Sequence, residues 1–192
     1  MPTPLCIATT NTFPESCVTA YTRRRSKPWR VSTEALVFLG VWESGTLNGI
    51  NFQGQVVTDG YILKAYRDNR GYPTVGAGHL IVPNDRIALG ETIDLERARG
   101  LMKVDIARAE NAINRDARVP LYQFEYDALV SVIYNCGAGN GAVGIMERIN
   151  AGAYDSMFDF IHQHRTHNNP NLRNRRFAEA RLFVSGVYDA SH

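Results

Sequence analysis

The sequence predicts an α+β fold: a small β-hairpin lobe, a long connecting helix and a larger, mostly helical lobe. Three observations carry this. Between about residues 46 and 82, glycines recur at 49, 54, 60, 71, 76 and 78 among β-formers such as Val56-Val57, Tyr61-Ile62 and Tyr72, the texture of hairpins and tight turns. From about residue 91 the apolar period turns helical: Leu95, Ala98, Leu101, Met102, Ile106, Ala109 and Ile113 follow the i, i+3, i+4, i+7 rule, with charged residues on the other face. A second apolar segment over about 122–136, ending Ile133-Tyr134-Asn135-Cys136, reads as a buried helix.

Taken in order, residues 1 to 30 read as a loosely structured arm, punctuated by Pro2, Pro4, Pro14 and Pro28 and charged by Arg23-Arg24-Arg25. Cys6 and Cys17 lie close together there and could pair in an oxidising compartment, whereas Cys136 reads as a buried small hydrophobe. A helix starts at Ser32-Thr33, a capping pair, and Gly45 is its stop. The hairpin region and the long helix follow, then the helix over about 122–136. Shorter helices are expected around 142–150, 153–164 and 172–184. With 192 residues, the chain makes one domain over 31–192 behind the arm, large enough to bury roughly 70% of its unfolded surface.

Composition excludes several classes. A net charge of +2 is too small for a nucleic-acid binder, and Arg23–Arg25 sits in no folded motif. No apolar run approaches the ~18 residues of a membrane span. The N-terminus has neither a basic start nor an apolar core, so no signal peptide is expected. The cysteines and histidines lack metal-ligand spacing, so neither metal nor cofactor is expected.

The most specific run is Leu63-Lys64-Ala65-Tyr66-Arg67-Asp68-Asn69-Arg70-Gly71-Tyr72-Pro73-Thr74-Val75-Gly76-Ala77-Gly78-His79-Leu80. It resembles the phage-type lysozymes, whose signature is a Glu ending the first helix, a strand Y-x-D, a turn with Gly, and T-[IV]-G-x-G-H-L. Asp68 and Thr74 keep the family's spacing of 74 − 68 = 6. The likeness continues through Gln123–Gly139 and through Asn174-Arg175-Arg176-Phe177-Ala178-Glu179, and covers roughly residues 32–190 but not the arm. It implies a lysozyme-like fold and a muramidase that cuts between N-acetylmuramic acid and N-acetylglucosamine in peptidoglycan, with inversion. One departure stands out. The family places its Glu and Asp about nine positions apart, whereas Glu43 and Asp68 are 68 − 43 = 25 apart. The extra residues, about 46–61, read as an inserted hairpin beside the cleft.

Glycoside hydrolysis needs a proton for the leaving oxygen and a nucleophile at the anomeric carbon, which two carboxyl groups in different environments supply. Glu43 follows Val41-Trp42, an apolar setting suited to an acid; Asp68, between Arg67 and Arg70, suits the ionised partner. Thr74 would share the attacking water with Asp68, six positions apart across a tight turn. The resemblance assigns His79 to a structural ion pair with Asp105 and pairs Arg175 with the catalytic Glu. It also sets Leu80, Tyr134 and Asn135 along the substrate cleft.

The expected partner is bacterial peptidoglycan, met by a monomer without nucleic acid or membrane insertion. Two settings fit a chain without a leader: a phage endolysin released from the cytoplasm to the wall, or an antibacterial effector delivered by a secretion machine and countered by an immunity protein. A wall-binding module without catalysis is disfavoured by the complete Glu43, Asp68 and Thr74 set. A lytic transglycosylase would not need the Asp–Thr pair.

Overall fold

The computed structural model describes residues 8–10, 19–21, 24–25, 27–166 and 169–191. Cys6, Cys17 and Arg23 lie outside the described residues. The chain divides into two compact units. A β unit takes Thr33–Ala107 with the tail from Tyr188; a helical unit takes the described residues up to Ser32 with Arg108–Val187. Strands and helices are both present, as the α+β reading expects.

The β unit opens with α1 (Thr33–Ser44), whose first turn carries Glu34, a carboxylate that complements the helix dipole. Ala35, Leu36, Phe38, Leu39 and Val41 of α1 are buried. A short antiparallel hairpin follows, β3 (Gly49–Ile50) with β4 (Val56–Val57). The main sheet is three-stranded and antiparallel, in the order β5 (Ile62–Arg67), β6 (Pro73–Gly76), β7 (His79–Leu80), with an irregularity between Ile62 and Tyr66. Tyr61 leads into it, wholly buried, and donates its hydroxyl to the Leu36 carbonyl at 2.8 Å. That contact fixes the start of β5 against α1. The unit is completed by the first turns of α2 (Leu95–Asp116), where Ala98, Met102 and Ile106 are buried at the expected helical spacing.

The helical unit contains the rest of α2 and α3 (Gln123–Cys136), α4 (Val143–Asn150), α5 (Met157–Gln163) and α6 (Pro170–Ser185). Ten of the eleven residues of α3 from Gln123 to Ile133, all but Phe124, are buried, which is what a helix surrounded by others requires. It packs on α6, and α6 on α5. Two short paired strands, β1 (Ala8–Thr10) and β2 (Thr19–Tyr21), precede these helices.

The segment over 24–30 departs from the loose arm the sequence suggested. Trp29 is buried, with its ring centroid 5.8 Å from that of Tyr126, its backbone N–H on Asn114 Oδ1 and its indole N–H on the Arg25 carbonyl. Arg24 pairs with Glu125 at 2.8 Å, Arg25 donates to Gln123 Oε1 at 2.6 Å, and Lys27 donates to the carbonyls of Asn114 and Ala117 near the end of α2. One large aromatic anchor supplies enough buried area to hold a proline-punctuated segment down. The two described arginines of the basic triplet are thus engaged within the fold. No helix among the described residues is long and apolar enough to cross a membrane.

Candidate active site

Glu43 stands in the last turn of α1 and is exposed. Of the apolar residues before it, Val41 is buried and Trp42 half-buried. The next residue, Ser44, is buried, and its carbonyl accepts from Asn51 Nδ2 at 2.9 Å. The end of the acid-bearing helix is therefore hydrogen-bonded to the inserted segment.

That segment closes on itself at its base. Gly60 N donates to the Leu47 carbonyl at 2.8 Å, and Asp59 N to Asn48 Oδ1 at 2.9 Å. Gly60 also lies directly on α1. A Cβ there would fall 2.7 Å from the Val41 nitrogen, and one at Gly40 would fall 2.9 Å from the Gly60 carbonyl oxygen. Only two glycines permit this approach, and φ of +85° at Gly60 adds a second reason for glycine. The chain leaves α1 and re-enters β5 beside the same helical turn, so the excursion adds sequence without separating the two elements.

Counting the family's nine positions back from Asp68 lands on Asp59. This residue has φ of +49° in the turn before β5, and its carboxylate is tied to Arg99 Nη2 of α2 at 3.2 Å. Its carboxylate is thus engaged by α2 rather than standing at the end of α1. Glu43 remains the candidate.

Asp68 follows β5. Its Oδ1 accepts from the backbone N–H groups of Arg70 at 2.9 Å and Tyr72 at 2.8 Å, while its own N–H donates to the Tyr72 carbonyl. The carboxylate is thereby locked by the turn on one oxygen, and Oδ2 carries no hydrogen bond among the described residues. Thr74 is buried and donates its hydroxyl to the Tyr72 carbonyl at 3.0 Å. Thr74 does not face Asp68 directly: its register partners are Tyr66 on β5 and Leu80 on β7. Asp68 lies two residues beyond Tyr66, on the same face by the period of a strand, which makes it a diagonal neighbour at about 7–8 Å between Cα atoms. No hydrogen bond joins the two among the described residues. Leu80, opposite Thr74, is exposed.

His79 is buried between two carboxylates. Nδ1 lies 3.0 Å from both oxygens of Asp105, and Nε2 lies 3.1 Å from Asp85 Oδ2. Burial opposes its protonation, but the hydrogen bonds and charges of Asp105 and Asp85 outweigh it, so the imidazole titrates above its ordinary value. Both ring nitrogens are engaged, which leaves neither available as a base. Asp85 is a partner that the sequence did not suggest. Its position three residues after Val82, whose N–H it accepts at 2.7 Å, marks it only as a turn-capping acid.

In the helical unit, Tyr134 is half-buried on α3. Asn135, assigned to the sugars by the resemblance, accepts from Arg176 through Oδ1, so its carbonyl is committed to the fold. Arg175 is buried on α6 and donates through Nε to Glu179 at 3.1 Å. Cys136 differs from expectation. It is half-buried and free, and its sulfur accepts from Arg176 Nη2 at 2.9 Å, because the α3 terminus meets a buried guanidinium rather than an apolar neighbour. Burial pushes its thiol up. No group of three or more potential metal ligands occurs among the described residues.

Residues 57–179 match the phage lysozyme family. The chain belongs to the phage lysozyme family. It is 39% identical over 131 residues to the endolysin of Salmonella phage P22, an alignment covering 66% of this chain and 90% of that one. Among solved structures it resembles the endolysin of Escherichia coli O157:H7 phage FAHEc1, at a TM-score of 0.66 and 26% identity, over 85% of this chain and 98% of that one. A variant of P22 lysozyme matches at a TM-score of 0.64 and 33% identity, over 82% and 99%. This phage lysozyme is thus a lysozyme-like glycoside hydrolase, and its substrate class is peptidoglycan. The family match takes in Asp68, Thr74, His79, Asp105 and Arg175, and begins fourteen positions after Glu43 (57 − 43 = 14).

Proposed function

We propose that this phage lysozyme hydrolyses the β-1,4 bond between N-acetylmuramic acid and N-acetylglucosamine by a single inverting displacement. Glu43 protonates the glycosidic oxygen as the leaving group departs. Asp68 and Thr74 hold the water, Asp68 removing its proton while Thr74 orients it, and the water attacks the anomeric carbon from the opposite face. Inversion requires roughly 6.5–9.5 Å between the two carboxyl groups to admit that water. The supporting observation is the asymmetric capture of Asp68: two backbone N–H groups hold Oδ1, and Oδ2 is left for another partner on the face that carries Thr74. A bound sugar would cover the exposed Glu43 carboxyl and give it the enclosure that an acid needs. Leu80, exposed opposite Thr74, would contact the glycan strand.

The test is reducing-end release from purified peptidoglycan, with product masses read in parallel. Glu43→Gln and Asp68→Asn should each lower turnover by about 10²–10⁴-fold. Full activity in both would overturn the assignment, and anhydro-sugar products would convert it to a transglycosylase. The relatives are endolysins, and we propose that this chain acts likewise, as a monomer made in the cytoplasm that reaches the wall after release.

A further inference from the structure

The inserted segment has a composition unlike the rest of the chain. Residues 44–58 contain no charged side chain, although 21% of the whole sequence is charged. They carry four side-chain amides, Asn48, Asn51, Gln53 and Gln55. Apart from the buried Val57, its apolar residues point outward. Phe52 is 87% exposed, and Ile50 and Val56, at 74% and 69%, are direct cross-strand partners on one face of the β3–β4 hairpin. Isolated exposed hydrophobes are ordinary, but a paired apolar face and a largely exposed ring on one short excursion make a surface built to be covered.

The segment is also held rigidly at the site. Asn51 is only 7% exposed and makes four hydrogen bonds: Nδ2 to the Ser44 carbonyl and to Gln55 Oε1, and Oδ1 from the N–H groups of Gln53 and Gln55. Gln55 in turn lies close enough to the Tyr66 hydroxyl to influence its titration, and Tyr66 is the register partner of Thr74. The Phe52 ring lies against the backbone of Gly45, two residues after Glu43. A Cβ at Gly45 would stand 3.2 Å from Phe52 Cε1. One arm therefore bridges the helix end that carries the acid and the strand that carries the water-holding pair, and it presents an aromatic ring between neutral amides.

We infer that residues 46–58 form an additional sugar subsite, with Phe52 as the stacking platform for an N-acetylhexosamine ring of the glycan strand and the exposed Gln53 as its hydrogen-bonding neighbour. The apolar C–H face of a pyranose suits an exposed phenyl ring, and the amides suit its hydroxyl and N-acetyl groups. The absence of charge favours the neutral sugar over the acidic stem peptide. This rests on Glu43 marking the reacting bond, since the subsite is defined by its distance from that residue.

The experiment uses the full chain and soluble glycan strands stripped of stem peptides. Binding is measured calorimetrically with Glu43→Gln, alone and with Phe52→Ala or Phe52→Trp added. Phe52→Ala should weaken binding about tenfold, and Phe52→Trp should retain it. In the active chain, Phe52→Ala should raise KM by a similar factor with kcat within about twofold. Equal affinity for the alanine variant, equal losses in both variants, or a fall in kcat at constant KM would overturn the subsite; the first would assign the face to a protein partner. The binding arm is read even if Glu43→Gln proves fully active, so failure of the catalytic assignment and failure of the subsite remain distinct. An unchanged melting temperature is expected for both variants, because the ring is exposed.

Discussion

Glu179→Ala offers the sharpest stability test, because it opens a buried charge. Glu179 and Arg176 are both 0% exposed. Glu179 accepts from Ser131 Oγ at 2.6 Å and from Arg175 Nε at 3.1 Å on one oxygen, and from Arg176 Nη1 on the other. Arg176 is further held by the His164 carbonyl, Asn135 and Cys136, all neutral acceptors. Truncating Glu179 therefore leaves a fully buried guanidinium without its counter-charge, a change that costs about 3–5 kcal/mol. For a chain of this size each kcal/mol lowers the midpoint by roughly 2–4 °C, so calorimetry should show a fall of about 6–20 °C. Replacing both members, Arg176→Met with Glu179→Leu, removes the uncompensated charge and should recover at least about half of the loss. A Glu179→Ala cost below about 1 kcal/mol in urea melts would refute the account, as would a double variant less stable than the single one.

Trp29→Ala should destabilise the helical unit by about 3–5 kcal/mol in the same melts, because it empties a buried aromatic site and removes the anchor of residues 24–30. Asp59→Asn should keep activity within about threefold and cost about 0–1 kcal/mol, as expected for a half-exposed ion pair with Arg99; a loss matching Glu43→Gln would move the acid to Asp59. His79 titrates above its ordinary value in the folded chain, so its contribution is complete below the unfolded value of about 6.5 and is lost as pH rises through the folded value. The stability gap between wild type and His79→Gln should accordingly be widest at acidic pH and narrow towards alkaline pH; a gap that widens with pH would reverse the sign of the reasoning.

Much of the β unit was legible because its signals are local. The run from Tyr66 to Leu80 fixes a strand, a turn and two further short strands within 15 residues, and no distant contact is needed to read it. The periodicity of α2 was equally plain, as was the pairing of His79 with Asp105, which the resemblance supplied. The register was not legible. A tight turn suggested Asp68 opposite Thr74, but Asp68 spends one oxygen capping that turn, which shifts the facing pair to Tyr66 and Thr74. Nor was the docking of residues 24–30 legible. It depends on Trp29 reaching Asn114 and Tyr126, more than 80 positions away, and prolines with arginines nearby gave the opposite local signal. Cys136 was misread for a related reason: Arg176, which engages it, lies 40 residues downstream.

The interval of 25 between Glu43 and Asp68 loses its force as an objection once the insert is seen to close at its base. What the chemistry requires is that the helix end and the strand start be neighbours, and contour length between them is irrelevant if the excursion returns to its origin. The Gly60–Leu47 hydrogen bond, the Gly40–Gly60 approach and the Tyr61 hydroxyl on Leu36 perform that return. Lengthening a surface loop is thermodynamically mild, about 0.6 kcal/mol per doubling, so an excursion can be accommodated where its ends already meet. Its position is then informative. An insertion on a remote turn would leave the proposed site as it was, whereas this one emerges just after Glu43 and approaches Tyr66, the register partner of Thr74. Its buried Asn51 supplies rigidity and its exposed Phe52 supplies surface, and a merely tolerated loop would have need of neither.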